Sequence, residues 1–175
     1  RLNKVIETAD GSLLISGSDD DGNFILKTNI FGPQFWIKRM ALSAISKHDK
    51  NYIACGTTKI SNKGAIYLVE MTTAGDTLWT KSFDKNIDAG ASFITTLSNN
   101  EVIIGGTYRT SNTTFASFIM RLDANGKEIW YKSLESEGIQ SLVNIVTTVD
   151  NNIVTVGRRP TGGFNIIKSN FDTDS

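Results

Sequence analysis

Asp19-Asp20-Asp21-Gly22-Asn23 is the densest run of carboxylates in this chain. Clustered carboxylates in a glycine-bearing loop can hold calcium, a hard cation that takes oxygen ligands. The spacing is not that of an EF-hand, and no bidentate Glu follows at the required place. The run is therefore expected to be the solvated tip of a hairpin, with no metal assigned. Arg158-Arg159 could grip a carboxylate or phosphate through two guanidiniums, and is otherwise exposed charge in a loop. Thr161-Gly162-Gly163 lacks the strand–loop–helix context of a phosphate cradle. His48 is the only histidine, at a turn in ISKHDK, and no Cys/His cluster accompanies it. An exposed turn residue is expected there, not a ligand or base. Cys55, between Ala54 and Gly56, has no histidine in a matching motif and is expected to be a small buried core residue. Asn112-Thr113-Thr114 is a glycosylation sequon, meaningful only in a eukaryotic secretory context. No catalytic residue and no cofactor emerge from these groups.

The elements that must position such residues show as a repeat. Glycine stands four residues before each of Trp36, Trp79 and Trp130, at Gly32, Gly75 and Gly126. Lysine stands two after, at Lys38, Lys81 and Lys132, and a charged residue nine before, at Lys27, Glu70 and Arg121. Upstream, Gly17, Gly56, Gly106 and Gly157 each follow an Asx by seven residues: Asp10, Asp49, Asn99 and Asp150. The unit recurs at 39 to 51 residues, the period of a β-propeller blade. Each unit reads as strand A, an Asx turn, strand B, a loop, strand C, an Asx/Gly turn and strand D. In the first unit the strands are expected near 4–9, 12–18, 23–28 and 34–40. The repeats are bounded as 1–40, 41–83, 84–134 and 135–175.

Period-2 alternation puts Trp130, Lys132 and Leu134 on one face of strand D, with Ile129 and Tyr131 on the other. Apolar residues on both faces mean a sheet covered on both sides, as a blade is by its neighbours. The tryptophans are thus expected to fill the gap between blades, with each lysine stem along apolar surface and its ammonium in water. Almost no helical periodicity occurs, and Pro33 and Pro160 fall at loop or turn positions. The fold class is all-β, a propeller of four-stranded antiparallel blades. Four repeats are seen, the fourth incomplete: nine residues after Lys168 is position 177, where the next Trp is due, and the chain ends at Ser175. A place in a larger propeller is expected, with a closed four-bladed ring lacking its last outer strand as the alternative.

Composition narrows the partners. Lys plus Arg and Asp plus Glu are 18 each, so net charge gives no general attraction for nucleic acid or an anionic membrane. No apolar run approaches the ~20 residues of a membrane helix. The chain begins in RLNKVIETADG, inside an apparent strand, so any leader would have been removed or never included. A single cysteine cannot form an internal disulfide and leaves the redox compartment open.

T-x-D-G followed by a glycine-ended strand, with LDANGKEIW and MTTAGDTLW, resembles repeats of secreted and surface propellers of the Bacteroidetes type and the tryptophan motif of pyrroloquinoline-quinone-type blades. That resemblance implies a propeller of the bacterial surface, outer membrane or periplasm, with a possible lipid anchor outside this chain. Quinoprotein dehydrogenases of that kind carry a vicinal cysteine pair and calcium-binding acids; this chain has one cysteine and no matching acidic set. The expected function is a non-catalytic binding or scaffold module that engages a protein or glycan. The alternative is a fragment of a propeller enzyme, quinoprotein-like or glycan-active. An enzyme would need acids or cofactor ligands near the axis, where strand A offers Thr8, Ser46, Thr95 and Thr147.

Loop lengths nominate the binding face. The A–B and C–D spacings are constant, whereas B–C runs from 7 residues (Gly17 to Phe24) to 12 (Gly106 to Phe118) and D–A from 13 to 20. In an up-and-down blade both variable connections lie at one end, where function is usually placed. The binding face is expected over 18–23, 57–65, 107–116 and 158–163, with 84–91 and 135–140 beside them. Its candidate residues are Asp19, Asp20, Asp21, Lys59, Asn62, Tyr108, Arg109, Asn112, Arg158 and Arg159.

Overall fold

The computed structural model of the chain describes residues 1–32, 34–135, 139–150, 152–159 and 161–169. Pro33, Pro160, residues 136–138 of one D–A connection and the last residues of the fourth repeat lie outside them. The chain is all-β. Blade one comprises β1 (Leu2–Glu7), β2 (Leu13–Asp19), β3 (Gly22–Thr28) and β4 (Gln34–Arg39). Blade two comprises β5 (Leu42–His48), β6 (Asn51–Ile60), β7 (Lys63–Met71) and β8 (Thr77–Phe83). Blade three comprises β9 (Ala89–Thr96), β10 (Val102–Arg109), β11 (Phe115–Leu122) and β12 (Glu128–Ser133). Blade four shows β13 (Ser141–Thr147), β14 (Ile153–Arg158) and β15 (Phe164–Ser169) among the described residues. Every sheet is an antiparallel meander in chain order, in a four-bladed β-propeller arrangement. Strand ends in the first repeat lie within one or two residues of the expected ones, the usual fraying of element boundaries.

Three apolar clusters hold the blades together, one at each successive interface. Leu14 and Ile25 of blade one meet Leu42, Ile45 and Val69 of blade two. Ile53, Cys55 and Leu68 of blade two meet Ile94, Ile104 and Met120 of blade three. Ile103 and Ile119 of blade three meet Leu142 and Ile145 of blade four. Both faces of the middle blades are therefore buried, which is why their strands alternate apolar with apolar instead of apolar with polar.

The recurring tryptophan is a latch onto the next blade. The rings of Trp36 and Trp79 sit where a Cβ on Gly75 or Gly126 would be, at 3.0 and 2.8 Å. Those glycines have φ of +89° and +72° in the C–D turns of the following blades, a left-handed conformation that glycine adopts without penalty. Lys81 lies 5.2 Å from the Trp79 ring and donates to the Asn125 carbonyl of the same neighbouring turn. The tryptophans are half-buried, not enclosed, because they close the rim of each interface.

The glycine of strand B has a different reason. In each blade strand A carries a one-residue irregularity, at Asn3, Ser43, Ser92 and Val143, opposite Gly17, Gly56, Gly106 and Gly157. The bulge pushes a strand-A carbonyl against the facing Cα: an added Cβ at Gly56 would lie 1.8 Å from Ala41 O, and one at Gly106 2.0 Å from Gly90 O. Only a residue without a side chain leaves room for the bulge.

The charged residue of strand C ties down its own A–B turn. Lys27 reaches Asp10 at 2.8 Å, Arg121 reaches Glu101, and Lys168 reaches Asp150 at 3.3 Å. Blade two reverses the sign: Glu70 takes the base's place and accepts from Asn51 Nδ2 at 3.1 Å. His48 fills the partner role there, with Nδ1 3.1 Å from Glu70 Oε1 and Nε2 3.1 Å from the Asn100 carbonyl of blade three. The expectation of an exposed His48 is thus corrected. It is buried because its carboxylate partner Glu70 is itself buried and Asn100 of the adjoining blade closes over the pair.

Candidate functional site

Antiparallel order places the B–C hairpins and the D–A connections at one end of every blade, and the A–B and C–D turns at the other. The nominated residues gather on the first end, but the connections there are less loop-like than their lengths suggest. Asp20 and Asp21 form a two-residue turn between β2 and β3. The expected loop 57–65 is mostly strand: β6 runs on to Ile60, β7 starts at Lys63, and Ser61-Asn62 turn with φ of +49° and +65°. A turn with two left-handed residues matches strand twist, so extra length extended the hairpin instead of the loop. Open loops occur at 110–114 in blade three and at 159 and 161–163 in blade four.

The three carboxylates do not form a metal cradle. Arg39 spans Asp19, with Nη1 and Nη2 at 2.6 and 3.0 Å from its two oxygens, and Nη2 lies 3.3 Å from Asp21. That guanidinium, first through its hydrogen bonds, holds the Asp19 carboxyl below its ordinary range. Asp20 is exposed beside them. Lys59 and Asn62 are exposed on the blade-two hairpin, and Arg158 and Arg159 on blade four, where Arg159 Nη2 donates to Asn165 Oδ1 at 3.2 Å.

Blades two and three share a polar belt on this face. Asp88 accepts from the Gly64 amide at 2.7 Å and pairs with Arg109 Nε at 3.2 Å, joining the hairpin of one blade to the loop of the next. The Arg109 guanidinium lies 5.2 Å from the Phe115 ring. Beside it a groove of about 220 Å³ runs between blades three and four, lined by Thr110, Thr114, Phe115, Glu135, Ile139 and Gln140. Tyr108 reaches its rim, with its hydroxyl 2.8 Å from Ser133 Oγ and 3.5 Å from Glu135. Asn112 is exposed on the same loop, and its carbonyl accepts from Arg109. The structure thus brings together Tyr108, Arg109 and Asn112, and separately Asp19 and Asp21; the remaining nominated residues stand apart on their own blades. Phe115, Glu135 and Gln140 fall within the expected stretches 107–116 and 135–140 but were not singled out, because only the fold makes residues of the two stretches neighbours.

A second cavity, of about 560 Å³, lies on the axis between the A strands. Its lining includes the bulge residues Asn3, Ser43, Ser92 and Val143, with Lys4, Phe93 and Asn144. Lys4 spans it, donating from Nζ to the Ile94 carbonyl of blade three at 2.7 Å, and burial lowers its pKa. The axial positions nominated from sequence do something else. Ser46 Oγ meets Thr96 Oγ1 at 3.3 Å and Thr147 donates to the Thr96 carbonyl, so hydroxyls bridge adjacent A strands, while Thr8 is used up in its own turn. The polar groups that face the cavity sit at the bulge, nearer the other end of strand A; the facing glycine was their only mark in the sequence. Thr95 pairs with Ile103 of strand B.

Cys55 is fully buried between blades two and three, as expected, and desolvation pushes its thiol up to about 12. Among the described residues no helix is long and apolar enough to cross a membrane. No protein-family model and no curated protein matches the chain.

Proposed function

We propose that this chain is a non-catalytic binding or scaffold module that engages a protein or glycan through the end of the blades carrying the B–C and D–A connections. The observation that carries the reading is the groove between blades three and four on that end. An aromatic ring, a carboxylate, an amide and threonine hydroxyls converge there, a mixture that suits a polar ligand with an apolar face. The resemblance of the repeat to surface propellers of the Bacteroidetes type supports a place on the bacterial surface or in the envelope, with any lipid anchor outside this chain.

A glycan array and affinity capture with the purified chain would supply a ligand. Charge reversals at Lys59, Arg109 and Arg158 should then weaken its binding at least several-fold, while reversals at Asp76 and Lys127, on the C–D turns at the other end, should not. Equal loss from both ends would reject the assignment. Because Arg109 also pairs with Asp88, its variant is read beside Phe115→Ala, which leaves that pair in place.

A further inference from the structure

Around the axis the four A strands repeat at some positions and not at others. The residue before each bulge, opposite the strand-B glycine, is Leu2, Leu42, Ala91 or Leu142. The second residue after it is Val5, Ile45, Ile94 or Ile145. Both rows are aliphatic in every blade, as positions that serve blade packing should be when blades meet alike. The row between them does not repeat. The first residue after the bulge is Lys4, Ala44, Phe93 or Asn144: a cation, a methyl, an aromatic ring and an amide. All four line the axial cavity of about 560 Å³. Four equivalent positions that meet in one cavity and differ in chemistry are set by something other than packing.

The charge in the cavity has one sign. Lys4 Nζ donates to the Ile94 carbonyl at 2.7 Å, and an ammonium has three N–H groups to place. Among the described residues no Asp or Glu lines the cavity, and its other charged lining residue, Arg1, is also a cation. Burial lowers the Lys4 pKa, and no carboxylate opposes that shift. A half-buried cation without a counter-charge is left electrostatically unsatisfied. Neutral polar groups surround it. Ser43 and Ser92 line the same space, and their hydroxyls have no partner among the described residues. Asn3 Nδ2 donates to the Ser43 carbonyl at 3.2 Å and Asn144 Oδ1 accepts from the Ile145 amide at 2.9 Å, so each side chain keeps further capacity.

We propose that the axial cavity is a second binding site, for a hydroxylated carboxylate of the sugar-acid class. Its carboxylate takes the Lys4 ammonium, and its hydroxyls meet Asn3, Ser43, Ser92 and Asn144. Positive charge with no acid selects an anion. The ring of hydroxyls and amides selects a hydroxylated anion over a bare inorganic one, and Phe93 offers an apolar wall to a sugar's C–H face. The volume falls within the about 300–1,000 Å³ of small-molecule sites. This site shares no lining residue with the groove between blades three and four, so either can stand without the other.

Isothermal titration calorimetry on the purified chain with D-glucuronate, D-glucose and inorganic phosphate tests it. Glucuronate should bind at millimolar concentration or below, with glucose and phosphate at least about tenfold weaker. Lys4→Met should weaken glucuronate at least about tenfold. Because Lys4 also ties blade one to blade three, that variant is read beside Ser92→Phe, which fills the cavity and keeps the Lys4 contact. Ser92→Phe should abolish binding with an unchanged β circular dichroism spectrum. Phe115→Ala, in the groove, should bind glucuronate as wild type does. A wild type that does not bind glucuronate overturns the proposal, as do glucose or phosphate binding equally well. Undiminished binding by Lys4→Met or by Ser92→Phe also overturns it. Loss confined to Phe115→Ala overturns it by placing the sugar acid in the groove.

Discussion

Gly56→Ala is the sharpest test of the bulge as the reason for the strand-B glycine. The residue is not in the left-handed region, so any cost comes from space and not from backbone dihedrals. Its added methyl would lie 1.8 Å from Ala41 O and 2.7 Å from both Ala41 C and Leu42 Cα. All three are backbone atoms, tied by the amide of Thr57 to the Ala41 carbonyl, so they cannot swing away as a side chain would. Overpacking of this kind costs about 1–3 kcal/mol where side chains can shift and more where they cannot. We expect about 3 kcal/mol or more, a fall in Tm of roughly 6–12 °C for a chain of this size. Gly106→Ala, with its methyl 2.0 Å from Gly90 O, should match it. Gly105→Ala is the control: its methyl would meet only the Ile145 and Leu142 side-chain ends, which can re-pack. Thermal and urea unfolding of the three variants would decide the matter. A Gly56→Ala protein within ~0.5 kcal/mol of wild type, or a Gly105→Ala protein hit as hard, would refute the steric account.

Trp79→Ala should cost about 2 kcal/mol, below the ~3–5 of an enclosed aromatic, because the ring is half-exposed over Gly126; chemical denaturation reads it directly. Trp36→Phe should be close to neutral in the same assay, since Trp36 Nε1 is buried without an acceptor and its loss removes an unsatisfied donor. The Asp10 carboxyl is held well below its usual range by Lys27 Nζ and then by the Thr8 hydroxyl, and that of Asp150 at about 2, chiefly by the Thr148 hydroxyl. A depressed folded pKa contributes stability above the ordinary value of 3.8 and loses it as pH falls toward 2 and below. Melting curves across that window should therefore fall more steeply for wild type than for a variant carrying Asp10→Asn and Asp150→Asn. Cys55, with its thiol buried and raised to about 12, should resist an aromatic disulfide reagent in the native state and react on unfolding; fast native labelling would mean that the interface of blades two and three opens.

How much of this was legible in the sequence depended on whether a residue's reason is local. Turn geometry is local, so Asp10-Gly11 and Gly75 announced their hairpins, and period-2 patterning announced that both faces of the middle blades are covered. The tryptophan's partner is not local: Trp36 packs on a glycine 39 positions later, and only the repeat period, one unit to each blade, links the two. Loop length was misleading in one specific way. Extra residues in the blade-two B–C segment stayed in register, Thr57 with Ile66 through Ile60 with Lys63, so they became strand. In blade three the segment Thr110–Thr114 has hydroxyls that bond one another, Thr110 and Ser111 to Thr114, and it stayed a loop. Side chains that satisfy their own loop compete with the ladder, whereas Lys-Ile-Ser-Asn-Lys offers a left-handed turn at its centre and no such competitor.

His48 shows how a correct repeat can still hide a site. Three of the four blades write base on strand C and acid at the A–B turn. Read singly, His48 is one polar residue at a turn. Read in register, Glu70 occupies the base's position, so the turn must answer with a donor; His48 and Asn51 are the donors present. The burial of His48 then follows, because Glu70 is itself buried and Asn100 of blade three closes over the pair. On the same logic Glu70→Lys alone would set a cation against His48 and Asn51 with no acid to receive it. Pairing it with His48→Asp rebuilds the arrangement of the other blades. The single variant should lose about 2–3 kcal/mol, the cost of stranding buried polar groups, and the double variant should recover at least half of it in a double-mutant cycle. Independent, additive losses would show that the two residues are neighbours without being partners.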